Sequence, residues 1–460
     1  MKKDLYTYLE EIHNRLNEIA LKIWGKPEKA MEEIYASNLQ ATLLEKEGFK
    51  TMKNISGLPT AFIAEYGDEA PILGVLGEYD ALPGLSQQIS SQPNPIENQE
   101  NGHGCGHNLL GVAGIGAVLA IKKQIEQKEI RGTIRYYGCP AEETLSGKPI
   151  MAAEGVFNDL DACLTWHPSS MNSVWRCRFL AMKSAFFKFK GISAHAAAAP
   201  DMGRSALDAV ELMNVGANYL REHIPDKARI NYTITEAGGP PNIIPANAEA
   251  WYYVRADDKK QVENIFDRLV KVSQGAALMT ETEVRHKTAA ACYGVLPNRV
   301  LGDLLHKNMA EIGGPQFTAE DHQFAKEIVA GFPPGYQENV IDSYFGPKEL
   351  VGEVLHEKVI NNHEESQVMP GSTDVGDVSW IVPLAQFTAA TWPLGTAAHS
   401  WQATASSGSG IGLAAMQFSA KTLAATLYDL FSDPKQLLKE IHSEFKASTA
   451  NQVYQPLLLD

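Results

Sequence analysis

From Leu109 to Ile125 the chain is built mostly of small and apolar residues, so a helix over this stretch has little polar face to offer water and must lie in a core. Directly before it stands Asn101-Gly-His-Gly-Cys-Gly-His-Asn108, a glycine-rich loop that sets Cys105 and His107 one residue apart. Glycine lets the backbone turn sharply, so both side chains can face one cavity. A thiolate and an imidazole are good ligands for zinc and related divalent ions. Ligands at the mouth of a helix that follows a strand suit an α/β active site. Alone, the segment is equally an ordinary turn around a buried cysteine.

The rest of the chain has the same alternating character. Leu5, Leu9, Ile12, Leu16, Ile19 and Ile23 recur every three or four residues and predict an amphipathic first helix. A second helix is expected near Ser37 to Lys46, with Gly48 as its stop. Ala61 to Tyr66, Ile72 to Leu76, Thr133 to Tyr137 and Ala162 to Trp166 are apolar runs of strand length, separated by helical or loop stretches. That order predicts an α/β fold, a sheet packed between helices.

Near residue 180 the pattern changes. A half-exposed strand at Phe186 to Lys190 is followed by a helix over Arg204 to Glu222 and strands near Arg229 to Thr235 and Ala248 to Val254. A helix at Lys260 to Gln274 and a strand at Glu281 to Lys287 complete a βαββαβ order, the ferredoxin-like arrangement. We expect this domain, 181–294, to be inserted in a larger one made of 1–180 and 295–460. Residues 315–370, rich in Gly, Pro and charge, read as an irregular excursion, and Gly408 to Phe431 as a buried final helix.

Composition narrows the function. The net charge of −15 argues against nucleic acid and against anionic membranes as partners. No run of about 18 apolar residues suggests a membrane span. The first residues, Met1-Lys-Lys-Asp-Leu-Tyr-Thr, lack the apolar core of a secretory signal. Five cysteines, an odd and scattered set, fit reduced thiols in a cytoplasmic protein.

Three more segments could bear chemistry. Gly138-Cys-Pro-Ala-Glu-Glu143 follows a predicted strand, and paired carboxylates there can divide their labour between a metal and a proton. By itself a Glu-Glu pair is more often a solvated acidic loop. Trp166-His-Pro168 also ends a strand, and Gly395-Thr-Ala-Ala-His399 lies in a small-residue loop before the final helix. Four metal-competent loops at the ends of core elements point together to a dinuclear site.

These segments, with Gly77-Glu-Tyr-Asp-Ala-Leu-Pro83, Gly191-Ile-Ser-Ala-His-Ala196, Gly203-Arg-Ser-Ala-Leu-Asp-Ala209 and Ser372 to Trp380, resemble the M20 metallopeptidase family, in its amidohydrolase branch, over almost the whole chain. The resemblance implies a zinc-exopeptidase-like catalytic domain with a mixed sheet, and an inserted lid through which many members dimerise. It implies that Cys105, His107, Glu143, His167 and His399 bind two divalent ions, Mn²⁺ or Zn²⁺, and that Glu142 is the general base. His195 would stabilise the tetrahedral intermediate, often across a dimer, while Asn242 and Arg255 match lid positions that hold a substrate carboxylate. Glu78 stands where classical members place a histidine ligand, and Asp80 is expected to orient its neighbours.

The activity so implied is hydrolysis of an N-acyl amino acid, such as p-aminobenzoyl-glutamate, by water activated at the metals. The expected partner is a second copy or a paralogous subunit, bound through the lid. An aminopeptidase or dipeptidase would use the same metals but needs an anionic group for the substrate ammonium, and none announces itself. A non-catalytic partner subunit of a paralogous hydrolase would not need Glu142 and five ligands intact.

Overall fold

The apolar run after the glycine-rich loop forms the helix His107–Glu126, buried continuously from His107 to Ile121. A computed structural model describes it together with residues 2–364, 366–450 and 452–457. By length and composition this helix would also suit a membrane span, but 83% of its apolar window is buried inside the protein. It packs against the first helix, Lys2–Trp24, against the long helix Gly410–Ser432, and against the strand Ile72–Glu78. The small side chains along it are what let helices and sheet approach so closely.

The chain divides into two units. The larger comprises Met1–Cys177, Leu296–Gln367 and Val378–Tyr454. Its mixed eight-stranded sheet runs in the order Lys50–Lys53, Phe62–Tyr66, Thr133–Cys139, Ile72–Glu78, Ala162–Ser169, Leu384–Ala390, Asn172–Val174, Val359–Ile360. The four central strands, from Thr133–Cys139 to Leu384–Ala390, are mutually parallel. Antiparallel partners flank them on both sides. Leu384–Ala390 is buried along its full length, as a central parallel strand must be.

The smaller unit holds a four-stranded antiparallel sheet in the order Glu283–Cys292, Ala181–Lys190, Asn247–Ala256, Arg229–Glu236. With the helices Ala206–Leu220 and Lys259–Thr280 this is the ferredoxin-like βαββαβ order. Alternate residues of Asn247–Ala256 are buried, and their apolar faces pack on both helices.

Two readings of the sequence need correction. Val368–Asp377 and the chain from Gln455, expected in the larger domain, belong to the smaller unit. Val368–Met369 pairs with Arg178–Phe179, the Leu180 amide donates to the Gly371 carbonyl, and the Tyr293 amide donates to Asp377 at 3.0 Å. The excursion over 315–370 is not merely irregular, since it contains the helices Ala319–Ala330 and Tyr336–Ser343. The first is started by a reciprocal Thr318–Asp321 capping box, a signal hidden among the surrounding glycines and prolines.

Candidate metal centre

The four central parallel strands deliver polar side chains to one edge of the sheet, at their carboxyl ends. Glu78 ends Ile72–Glu78, and Thr133–Cys139 runs straight into Pro140-Ala-Glu-Glu143. His167 lies near the end of Ala162–Ser169, and the chain beyond Leu384–Ala390 leads to His399. An open α/β sheet leaves room for a ligand at that edge.

The glycine-rich loop brings the remaining two. Gly106, with φ of +76°, turns the chain into the helix, and a Cβ on it would lie 2.8 Å from Pro168. Only glycine tolerates both the conformation and the approach, and the result is that Cys105 Sγ sits 3.4 Å from His167 Nε2. On the other side the His399 amide donates to the Gly104 carbonyl at 2.9 Å, tying the two loops together.

Five side chains thus meet as two overlapping triads. Ligand atoms of Cys105, His107 and His167 all lie within 4.8 Å of one another, as do those of Cys105, Glu143 and His399, so Cys105 is common to both. His399 Nε2 is 3.4 Å from Glu143 Oε2. Glu78, His107 and Glu142 form a third such group, with Glu142 Oε2 3.9 Å from His107 Nε2. His107 Nδ1 lies 2.9 Å from Asp80 Oδ1, while Asp80 Oδ2 accepts the Glu143 amide at 2.8 Å. Asp80 therefore orients one candidate ligand and holds the backbone of another, as outer carboxylates do around metals.

The electrostatics are those of crowded, dehydrated groups. Burial raises the Cys105 thiol, and burial followed by the charge of Asp80 lifts the Glu143 carboxyl to about 7 despite His107. Burial lowers His167 to about 4, and partial burial also lowers His399, whose side chain is 53% exposed, which favours the neutral, ligand-competent imidazole in both. Burial would raise Glu78 as well, but the Lys148 ammonium and His107 bring it below the usual carboxylate range.

Among known proteins, the M20 peptidase dimerisation domain matches residues 181–278. Over 98% of its length the chain is 42% identical to one subunit of the p-aminobenzoyl-glutamate hydrolase of Escherichia coli (strain K12), covering 97% of that protein. The chain belongs to the M20 metallopeptidase family. It is a metal-dependent hydrolase. A 29% identical relative is Xaa-Arg dipeptidase of Mus musculus, with 97% of this chain and 92% of that one covered. A dinuclear metal-binding M20 peptidase from Bacillus subtilis shares the fold, with a TM-score of 0.57 at 17% identity over 92% of this chain and 99% of that one.

The donor set fits the metals an M20 hydrolase requires. His107 Nε2 and Glu143 Oε1 are buried, lack hydrogen-bond partners and belong to the convergent groups. Stranding such atoms is costly unless a cation takes them up.

The residues singled out in the inserted unit fall in two separate places. His195 and Asn242 sit together, exposed, where the Ala196 amide donates to the Asn242 carbonyl at 3.0 Å. His195 Nδ1 accepts from the Ala197 and Ala198 amides at 3.2 and 3.1 Å, which leaves the ring proton on Nε2, facing outward as a donor. Arg255 is at the other end of Asn247–Ala256, paired across the sheet with Met182 and Arg229 and stacked 5.1 Å from the Tyr253 ring. Asn242 and Arg255, both expected at a substrate carboxylate, therefore lie far apart within one chain. Eight residues of strand separate Arg255 from Asn247 alone, roughly 27 Å of extended chain.

Two residues at the site escaped the sequence reading. Glu33 is fully buried and accepts the Ala141 amide at 2.8 Å, so it braces the loop that carries Glu142 and Glu143. Lys148, also fully buried, lies 2.7 Å from Glu78. Glu33 follows Glu32 and reads as a solvated pair, and Lys148 between Gly147 and Pro149 reads as a turn. No periodicity flags either one.

Proposed function

We propose that this chain hydrolyses the amide bond of N-acyl amino acids with a free carboxylate, with p-aminobenzoyl-glutamate as the leading candidate. The convergence of five ligand atoms beside Glu142, with one thiol common to two triads, carries the reading. The name of the 42% identical relative supports the substrate class. Cys105, His107, Glu143, His167 and His399 would hold two divalent ions, Mn²⁺ or Zn²⁺, with Cys105 serving both. When bound, such ions polarise the amide carbonyl and acidify water.

The chain's own groups do the rest. Glu142, beside the cluster, takes the proton from the attacking water as its oxygen bonds to the amide carbon. His195 offers its Nε2 proton to the carbonyl oxygen as negative charge develops there. Glu142 then passes its proton to the amide nitrogen, and the C–N bond breaks to release the amine and the carboxylic acid. The Arg255 guanidinium, always charged and able to donate in parallel, grips the substrate carboxylate.

The separation of His195 and Asn242 from Arg255 gives this scheme a second participant. The strand between them is longer than an N-acyl amino acid, so a site using all three draws His195 and Asn242 from one chain and Arg255 from another. The second chain is another copy or a paralogous subunit, docked through the inserted unit. The five cysteines are buried thiols, which suits a reducing compartment such as the cytoplasm.

The test is a substrate screen on the purified chain with added Mn²⁺ or Zn²⁺. N-acyl amino acids, p-aminobenzoyl-glutamate among them, should be cleaved, chelation should abolish cleavage, and amidated carboxylates should be poor substrates. Preference for dipeptides with a free amino terminus would overturn the substrate class, and full activity without metal would overturn the centre.

A further inference from the structure

Lys148 has no place in the chemistry above, yet it is a fully buried ammonium at the edge of the metal centre. It is the second residue of the helix Gly147–Ala153, and Gly147 approaches the Pro140 carbonyl too closely to leave room for a Cβ. That contact ties Lys148 to the loop bearing Glu142 and Glu143. Its Nζ lies 2.7 Å from Glu78 Oε1. The other oxygen, Glu78 Oε2, lies 3.3 Å from His107 Nε2 and has no hydrogen-bond partner. By position, Glu78 therefore competes for the ligand set.

By charge it need not join. With Cys105 as thiolate, the acidic groups in the candidate ligand clusters or bonded to them, Glu78, Asp80, Cys105, Glu142 and Glu143, are gathered out of water with Lys148 among them, while Glu33 stands outside those clusters, accepting from the Ala141 amide and the Thr60 hydroxyl. The ammonium offsets one of their charges, and what remains is the charge of two divalent cations. A buried carboxylate needs a cation of its own, and Glu78 already has one.

We propose that Lys148 is a resident cation of the metal centre, which holds Glu78 outside the ligand set and leaves a charge that two divalent ions complete. This rests on the dinuclear reading. It predicts opposite effects from the two halves of the pair. Glu78→Gln removes a negative charge beside the ions and weakens their binding, whereas Lys148→Met removes a positive charge and tightens it. Each shift should be about tenfold, the lower end of what changes around metal ligands produce.

The experiment uses the full-length chain, with Mn²⁺ as the probe. Affinity is measured by competition with a chromophoric chelator, and ions per chain by elemental analysis, for the native protein, both single variants and Glu78→Gln/Lys148→Met. The double variant should keep two ions at an affinity within a few-fold of native. It keeps the native net charge of the cluster, and where a single variant fails to fold, its ion count decides. Fewer than two ions in the double variant would make Glu78 a ligand and overturn the proposal. So would single variants that shift affinity in the same direction, or not at all. A native chain that binds no Mn²⁺ or Zn²⁺ would instead remove the dinuclear reading itself.

Discussion

Glu33→Ala should cost the large unit much of its stability, and the cost can be worked from three contacts. The Glu33 carboxylate is fully buried and accepts from the Met31 amide at 2.9 Å, the Ala141 amide at 2.8 Å and the Thr60 hydroxyl at 2.9 Å. Met31 is 41% exposed, so its amide can turn to water, but Ala141 and Thr60 are buried and cannot. Two stranded donors at about 1–3 kcal/mol each give a loss of about 2–6 kcal/mol. Glu33→Gln keeps an oxygen for the amides, and the Thr60 hydroxyl can rotate to accept from the new NH₂, so its loss should stay below about 1 kcal/mol.

Urea unfolding of the metal-free chain, followed by tryptophan emission, reads this out. Six of the seven tryptophans lie in the large unit. Burial, then the charge of Asp80, raises the Glu33 carboxyl from 4.5 to about 7. Between those values the folded chain keeps a proton that the unfolded chain has released, so this group's contribution to stability falls as pH rises through the window and is lost above it. Glutamine does not titrate. The difference in stability between native and Glu33→Gln should therefore shift in favour of glutamine from the acid end of that window to the alkaline end. An alanine variant within about 1 kcal/mol of native, or a glutamine variant as damaging as alanine, would show that Glu33 does not satisfy these donors.

Three further outcomes are expected. Glu142→Gln should keep its metal but lose roughly 10²–10⁴-fold in kcat, the scale of a general base. Glu143→Gln should lose metal as well, and elemental analysis separates the two. Mixing inactive His195→Ala chains with inactive Glu142→Gln chains should restore part of the activity, since one of the two composite sites in the mixed dimer then has both residues intact; a verified mixed dimer with none recovered would return His195 to its own chain. Arg255→Lys should raise KM for N-acyl amino acids roughly tenfold, one charge-assisted hydrogen bond being worth about 1.5–3 kcal/mol, while amidated substrates change little; equal effects on both would show that the carboxylate is held elsewhere.

What the sequence makes legible here depends on how locally each signal is written. Cys105, His107, Glu143, His167 and His399 announce themselves because each sits at or just beyond the end of a core element, in a segment marked by glycine, proline or small residues. The strand Leu384–Ala390 does not, although it is central to the sheet. Its Leu-Ala-Gln-Phe-Thr-Ala-Ala is buried on both faces, so it has no alternation, and its alanines favour helix as readily as strand. Asn242 and Arg255 lie close in sequence, but a single strand carries them to opposite ends of a sheet. Glu33 and Lys148 gain their roles only from partners distant in the chain, Ala141 and Glu78.

The segment Val368–Asp377 also constrains how this protein can be made. Its strand closes against Arg178–Phe179, and its Asp377 carboxylate receives the Tyr293 amide. A ribosome therefore releases the whole βαββαβ stretch well before Val368–Asp377, and then the chain from Gln455, emerge to complete that unit. Until then Arg178–Phe179 waits without its neighbour, and the newborn unit carries an open edge. A gene fragment that encodes only the contiguous βαββαβ region would reproduce that unfinished state permanently. The smaller unit is thus a guest stitched to its host at both ends and twice more from a distance, so a cassette cut from its contiguous stretch leaves part of it behind.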